Sequence, residues 1–113
     1  MLTIRKVRDD CADVALAPGE IGWAAYDERG LAGWCVCRMS DDLAAVRLLR
    51  LHTRDGDLPL ADGLARSAVA DVRDIAQRAE IAGDDPELRA FASLTGAFED
   101  NIAKIEKIFK TCC

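Results

Sequence analysis

The chain has 113 residues, half of them hydrophobic, with 15 basic and 20 acidic side chains and a formal net charge of −5. This length predicts one globular domain over residues 1–113, and the acidic balance argues against a nucleic-acid-binding or membrane-surface protein, which would carry a basic face. No apolar run approaches the roughly 20 residues of a membrane span, and the N-terminus lacks the apolar stretch of a signal peptide, so we expect a cytoplasmic protein.

The first half of the chain alternates apolar and polar residues, which is typical of β-strands. We predict strands over residues 2–8, 21–27, 31–39 and 44–53. The turn Glu28-Arg29-Gly30 joins the second and third of these strands as an antiparallel hairpin. With the strand that follows, the hairpin forms a three-stranded antiparallel meander.

The second half of the chain has mainly helical patterns. A first helix follows a cluster of turn residues, and its apolar side chains recur at steps of three and four residues. This stripe consists of Leu60, Leu64, Ala68, Val72, Ile75 and Ala79. Residues 78–82 fit a short strand, and Asp85-Pro86 starts a second helix that Gly96 ends. A last segment from Ile102 to Phe109 fits a helix better than a strand.

This order predicts an α+β fold with a mixed sheet of about five strands, made of the meander and a βαβ unit, and two main helices. A strand, a glycine-bearing loop and a helix N-terminus meet at residues 57–63. Proteins use this arrangement to hold a phosphate on free backbone N–H groups. The alternative is an ordinary connection between a strand and a helix.

The order over about residues 20–98 resembles the GNAT superfamily of acetyl-CoA-dependent N-acetyltransferases. In that family a loop with two small residues leads from a strand into a helix and holds the pyrophosphate of coenzyme A. The nearest match here is Leu58-Pro59-Leu60-Ala61-Asp62-Gly63, with Ala61 in place of the first glycine and Gly63 at the second small position. Leu94-Thr95-Gly96-Ala97-Phe98 is similar to the Leu-Gly-Phe element that ends the family's last helix.

The resemblance implies a protein that binds acetyl-CoA, without a metal, and transfers acetyl to a primary amine of a small molecule or peptide. It also implies main-chain contacts to the cofactor's pantetheine arm and pyrophosphate. The residues implied in cofactor binding are Leu51, His52, Thr53, Leu58, Leu60, Ala61, Asp62, Gly63 and Leu64.

Two departures from the family leave a second hypothesis open. The usual tyrosine acid is absent, since Phe91-Ala92-Ser93 stands in its place, and residues 9–20 are too few for the two helices that normally shape the substrate side. The second hypothesis is a catalytically silent GNAT-like module with a binding or structural role.

Three side chains are predicted as catalytic candidates, each with a structural alternative. His52, the one histidine in the sequence, could act as a general base or be a strand residue beside Thr53. The resemblance makes Glu20 a base acting through a water and Tyr26 the acid. Their alternatives are a turn carboxylate and an interfacial tyrosine.

The five cysteines have no zinc-type spacing, so we predict free thiols and no metal site. Cys35 and Cys37 share a strand face and are expected to pack as small apolar residues. A third hypothesis gives the terminal pair Cys112-Cys113 a thiol- or metal-responsive role.

The arginines of the meander and the loop after it form a further pattern. Arg38, Arg47, Arg50 and Arg54 could attract the cofactor's phosphates, or form a solvated face neutralised by Asp41, Asp42, Asp55 and Asp57. An exposed meander edge on so small a domain also predicts a homodimer.

Overall fold

The computed structural model describes residues 2–7 and 13–110. The strands are β1 (Thr3–Val7), β2 (Glu20–Asp27), β3 (Gly30–Met39), β4 (Ala45–Thr53), β5 (Arg78–Ile81) and β6 (Ile102–Lys104). The helices are α1 (Leu58–Asp71), α2 (Pro86–Thr95) and α3 (Ile105–Lys110). In the described ranges, no helix has the length and apolar character needed to cross a membrane.

The six strands form one mixed sheet in the order β1-β2-β3-β4-β5-β6. All neighbouring strands are antiparallel except β4 and β5, which are parallel and are joined through α1. The predicted α+β architecture, with a meander followed by a βαβ unit, is therefore confirmed. The sheet has one strand more than the sequence predicted, and the expected last helix is present as the short α3.

The additional strand lies where a continuous last helix was expected. Asp100 and Asn101 both adopt positive φ, which turns the chain back so that residues 102–104 pair with β5. Of the residues whose spacing predicted this helix, Ile105 and Ile108 lie in α3, whereas Ile102 lies in β6. The prediction was wrong for 102–104 because the free edge of β5 offers backbone hydrogen bonds that local spacing does not reveal.

The first helix is shorter than its apolar stripe predicted. It ends at Asp71, and Val72 O accepts hydrogen bonds from the N–H groups of Ile75 and Ala76 in the turn that follows. Val72 and Ala76 remain buried, but Ile75 is 60% exposed. The stripe therefore does not continue to Ile75, because the chain must reverse direction to enter β5.

The core lies between one face of the sheet and the helices. Its largest fully buried side chains include Leu48 and Leu51 from β4, Leu64 from α1, and Leu88 and Phe91 from α2. These contacts dock both main helices against β4. The same strand carries several predicted site residues, so helix packing fixes their position.

A second, smaller cluster covers the opposite face of the sheet. It is built on Val14, Ala24 and Val36, with Trp34 packed against it. Trp23 packs on the main core instead, since the two tryptophans lie one residue pair apart in the register. Neighbouring pairs point to opposite sheet faces, so the tryptophans do not form one aromatic cleft.

The two cysteines of β3 pack in the interior, as predicted. Burial raises the pKa of Cys37 to about 12 and raises the pKa of Cys35 further still. Both side chains therefore remain neutral thiols and behave as small apolar groups. The terminal Cys112-Cys113 pair lies outside the described residues.

The arginines of the meander are neutralised by other carboxylates than those predicted. Arg50 pairs with Glu20 at 2.9 Å and Arg47 with Glu80 at 3.3 Å. Arg54 pairs with Asp27. Glu80 lies on the neighbouring strand β5, and Glu20 and Asp27 lie on β2, on the far side of β3, whereas the predicted aspartates were chosen for nearness in sequence.

Two glycines with opposite surroundings test the packing of β3 and α1. A Cβ on Gly33 would lie 2.7 Å from the backbone oxygen of His52, so Gly33→Ala should lower the free energy of unfolding by about 1–3 kcal/mol. Gly63 lies inside α1, and its Cβ would meet only Ile4 Cδ1 at 3.7 Å. Gly63→Ala should raise the free energy of unfolding by about 0.5–1 kcal/mol. Urea denaturation of both variants checks these signs, and equal effects would contradict the described packing.

Candidate functional site

The parallel strands β4 and β5 separate partway along β4. Their pairing runs from Ala45↔Arg78 to Leu48↔Ile81, where β5 ends, whereas β4 continues to Thr53. The register of β4 against β3 also shifts at Leu49, the extra residue of a bulge. The last residues of β4 therefore have an edge that β5 does not cover, which we call the β4 gap.

Side chains from the start of α2 bond to the backbone in the β4 gap. Leu51 N–H donates to Asp85 Oδ2 at 3.2 Å, and Thr53 N–H donates to Glu87 Oε2 at 2.8 Å. The Thr53 hydroxyl donates to Glu87 Oε1 at 2.6 Å. The N–H groups of alternate residues thus point into the gap and bind acceptors from outside the sheet.

The helix start of α2 explains how these carboxylates reach β4. Asp85 is the N-cap, and its Oδ1 accepts hydrogen bonds from the N–H groups of Glu87 and Leu88 at 3.0 and 3.2 Å. Pro86 follows as the first helical residue, a position that proline favours. The buried Leu88 anchors this turn in the core.

The start of α1 satisfies most of its own backbone donors. Asp57 is the N-cap and accepts from Leu60 N–H at 3.2 Å, while its carbonyl accepts from Ala61 N–H at 2.9 Å. Pro59 has no N–H to offer. Within residues 2–7 and 13–110, the N–H of Leu58 has no partner, so it is the one donor that this turn leaves for a ligand.

Thr53 connects the two helix starts. Its hydroxyl oxygen accepts from Asp57 N–H at 2.7 Å while its proton is donated to Glu87. The residue is 2% exposed, so its own side chain is buried. A threonine at the end of β4 thereby holds both the cap of α1 and the first turn of α2.

Five of the nine predicted cofactor residues fall into two groups. Leu51 and Thr53 present N–H groups in the β4 gap. Asp62, Gly63 and Leu64 lie inside α1, where N–H groups donate to carbonyls one turn back. Their role as cofactor ligands stays a prediction.

A cavity of about 250 Å³ borders the start of α1. Arg29 and Arg54 line it together with the carboxylates of Asp27, Asp55 and Asp57. Arg54 Nε is buried and, in the described part of the chain, has no hydrogen-bond partner. The cavity thus combines two arginines with three acidic side chains.

His52 has a partner that the sequence did not reveal. Its Nδ1 lies 3.8 Å from Glu87 Oε2, and its ring lies 5.6 Å from the Trp34 ring. The imidazole is 58% exposed, so it is accessible to a substrate beside the β4 gap.

Glu20 and Tyr26 lie at opposite ends of β2. Six residue steps along the strand place them about 20 Å apart, so they cannot act on one reacting atom. Tyr26 donates its hydroxyl proton to Asp13 Oδ2 at 2.9 Å. The hydrogen bond from Arg50 lowers the pKa of Glu20, which makes this carboxylate a weak base at neutral pH.

Asp85 and Glu87 are site residues that the sequence analysis missed. The Asp-Pro-Glu pattern correctly predicted a helix start, but that local signal does not show which strand the side chains reach. Among the described residues, no group of three or more His, Cys, Asp or Glu side chains could hold a metal ion.

Solved structures of acetyltransferases share this arrangement of strands and helices. A probable acetyltransferase from Staphylococcus epidermidis matches with a TM-score of 0.67 at 12% identity, over 85% of this chain and 83% of that chain. A putative N-acetyl transferase from E. coli, solved bound to coenzyme A, matches with a TM-score of 0.65 at 13% identity, over 92% of this chain and 98% of that chain. A GNAT-family acetyltransferase from Streptococcus pneumoniae matches with a TM-score of 0.56 at 17% identity, over 88% of each chain.

The chain has the GNAT fold. The resemblance read from the sequence is thus confirmed at the level of the fold. No protein-family model and no curated protein sequence matches the chain, so structure rather than sequence carries the relationship. In this GNAT fold, the separation of β4 from β5 is the feature that gives the site its open backbone edge.

The hydroxyl of Thr53 can be tested apart from its volume. Thr53→Val leaves both Asp57 N–H and a Glu87 oxygen without their partner, so we expect the free energy of unfolding to fall by about 1–3 kcal/mol. Thr53→Ser retains the hydroxyl, so its free energy of unfolding should fall by less. Chemical denaturation measures both, and a valine variant as stable as the serine variant would show that these hydrogen bonds contribute nothing.

The Glu20–Arg50 pair predicts a pH dependence. Because the folded pKa of Glu20 lies below its usual 4.5, the pair stabilises the protein above that pH and loses its effect as the pH falls through the folded value. Glu20→Gln should therefore be less stable than the wild type at about pH 6, and the difference should shrink as the pH falls below 4.5 towards the folded pKa. Denaturation across this range tests the sign, and a constant difference between the two proteins would contradict it.

Proposed function

We propose that the chain binds acetyl-CoA in the β4 gap and transfers its acetyl group to a primary amine of a small molecule or peptide. The supporting observation is the open edge of β4, where two backbone N–H groups point into the β4 gap instead of pairing with β5. The likeness to a GNAT-fold protein solved with coenzyme A adds to this support.

The β4 gap fits the amide-containing arm of the cofactor. Carboxylate oxygens of Asp85 and Glu87 stand where carbonyl oxygens of such an arm would accept hydrogen bonds from Leu51 and Thr53. The diphosphate end has fewer donors, with Leu58 N–H as the backbone group that the start of α1 leaves without a partner among the described residues. When bound, acetyl-CoA supplies a thioester that an amine can attack.

His52 is the side chain best placed to accept a proton from the attacking amine. It lies on β4 between the two residues whose N–H groups enter the gap, and its imidazole is exposed. Glu20 is less suited because Arg50 lowers its pKa.

A second candidate function is the catalytically silent module. Its support is also specific: the protein's own carboxylates already hold both N–H groups in the gap, and Asp57 caps the helix that would meet the diphosphate. The cytoplasmic location and the homodimer, which follow from the sequence, remain proposals under either function.

A thermal-shift titration with an amine panel separates the two candidates. Millimolar acetyl-CoA should raise the melting temperature by mass action if it binds only the folded protein. His52→Ala should retain that rise and lower thiol release from acetyl-CoA by about 100-fold or more. Glu106→Ala, an exposed change on α3, serves as the control for activity. Absence of any rise and of thiol release in the wild type would favour the silent module.

A further inference from the structure

We propose that Asp85 and Glu87 act as a built-in competitor for the cofactor arm, so that the arm binds the β4 gap only after Glu87 leaves it. This inference rests on the proposed function and describes how access to that same site is regulated. The observations that support it are the three hydrogen bonds that join α2 and its N-cap to the end of β4.

The carboxylates and an incoming arm require the same donors. Each backbone residue has a single N–H, which makes one well-aligned hydrogen bond. Thr53 N–H is already bonded to Glu87 Oε2 at 2.8 Å, and Leu51 N–H to Asp85 Oδ2 at 3.2 Å. An acceptor on the arm therefore has to displace a carboxylate oxygen.

The two carboxylates differ in how firmly they are held. Asp85 also caps α2 through two backbone N–H groups, so its release would unravel the helix start. In the described ranges, the hydrogen bonds of the Glu87 carboxylate go to Thr53 alone. Glu87 can therefore rotate away without breaking α2, which makes it the movable part.

The charge of Glu87 adds to the competition. Hydrogen bonds from N–H and O–H groups to a charged carboxylate are stronger than neutral ones, such as those to an amide carbonyl of the arm. A carboxylate in the gap also repels the anionic diphosphate of coenzyme A. Removing Glu87 should thus strengthen cofactor binding through both effects.

Calorimetric titration with coenzyme A compares three proteins. Glu87→Ala frees Thr53 N–H and should lower the dissociation constant at least about tenfold relative to the wild type. Asp84→Ala removes the same charge nearby, but its side chain is 99% exposed and pairs with Arg89 at 3.2 Å. The Asp84 variant should stay within about threefold of the wild type because repulsion between exposed charges is screened.

Glu87→Gln keeps the proposal testable if the alanine variant fails to fold. Glutamine can still bond Thr53, but it lacks the charge, so it should tighten binding in the same direction by a smaller factor. Amide spectra of ¹⁵N-labelled protein provide a second readout. The Thr53 signal should shift on removal of Glu87 and again on adding coenzyme A.

The outcomes separate this inference from the proposed function. Tighter binding in the Glu87 variants but not in Asp84→Ala supports it. Equal affinity of the wild type and the folded Glu87 variants overturns the competitor and leaves the proposed cofactor site standing. Absence of binding in folded Glu87 variants at millimolar coenzyme A overturns both.

Discussion

The hydrogen bonds of Thr53 are the interaction on which the site depends. The hydroxyl oxygen of this buried residue accepts a hydrogen bond from Asp57 N–H. Its hydroxyl proton and its backbone N–H both donate hydrogen bonds to the Glu87 carboxylate. It thereby fixes the start of α1, the start of α2 and the end of β4 relative to one another. Because β5 ends at Ile81, it does not pair with this end of β4.

The separation of β4 and β5 creates donors that must be satisfied. Buried backbone N–H groups without partners are costly, so an open strand edge next to a core needs acceptors from elsewhere. In this GNAT fold the first turn of α2 supplies them through Asp85 and Glu87. The same demand is the reason why we propose that this edge binds a ligand that carries carbonyl groups.

The sequence predicted the parts of this structure that depend on local signals. The alternation of apolar and polar residues predicted the meander, and the Asp85-Pro86 pair predicted the start of α2. Gly96 predicted the end of α2, where this glycine adopts the left-handed conformation. Prediction from the sequence failed where contacts with distant parts of the backbone determine the structure. Residues 102–104 form β6 because β5 has a free edge, and α1 ends at Asp71 because the chain must turn into β5. The role of Glu87 was hidden for the same reason, since 34 residues separate it from Thr53.

Amide hydrogen exchange at Thr53 measures whether Glu87 holds the end of β4. We expect that the Thr53 N–H of the free protein is protected by Glu87 and that Glu87→Ala removes this protection while the amides within β3 stay slow to exchange. Rapid exchange of Thr53 in the wild type, or equal protection in the folded alanine variant, would show that Glu87 does not hold the end of β4.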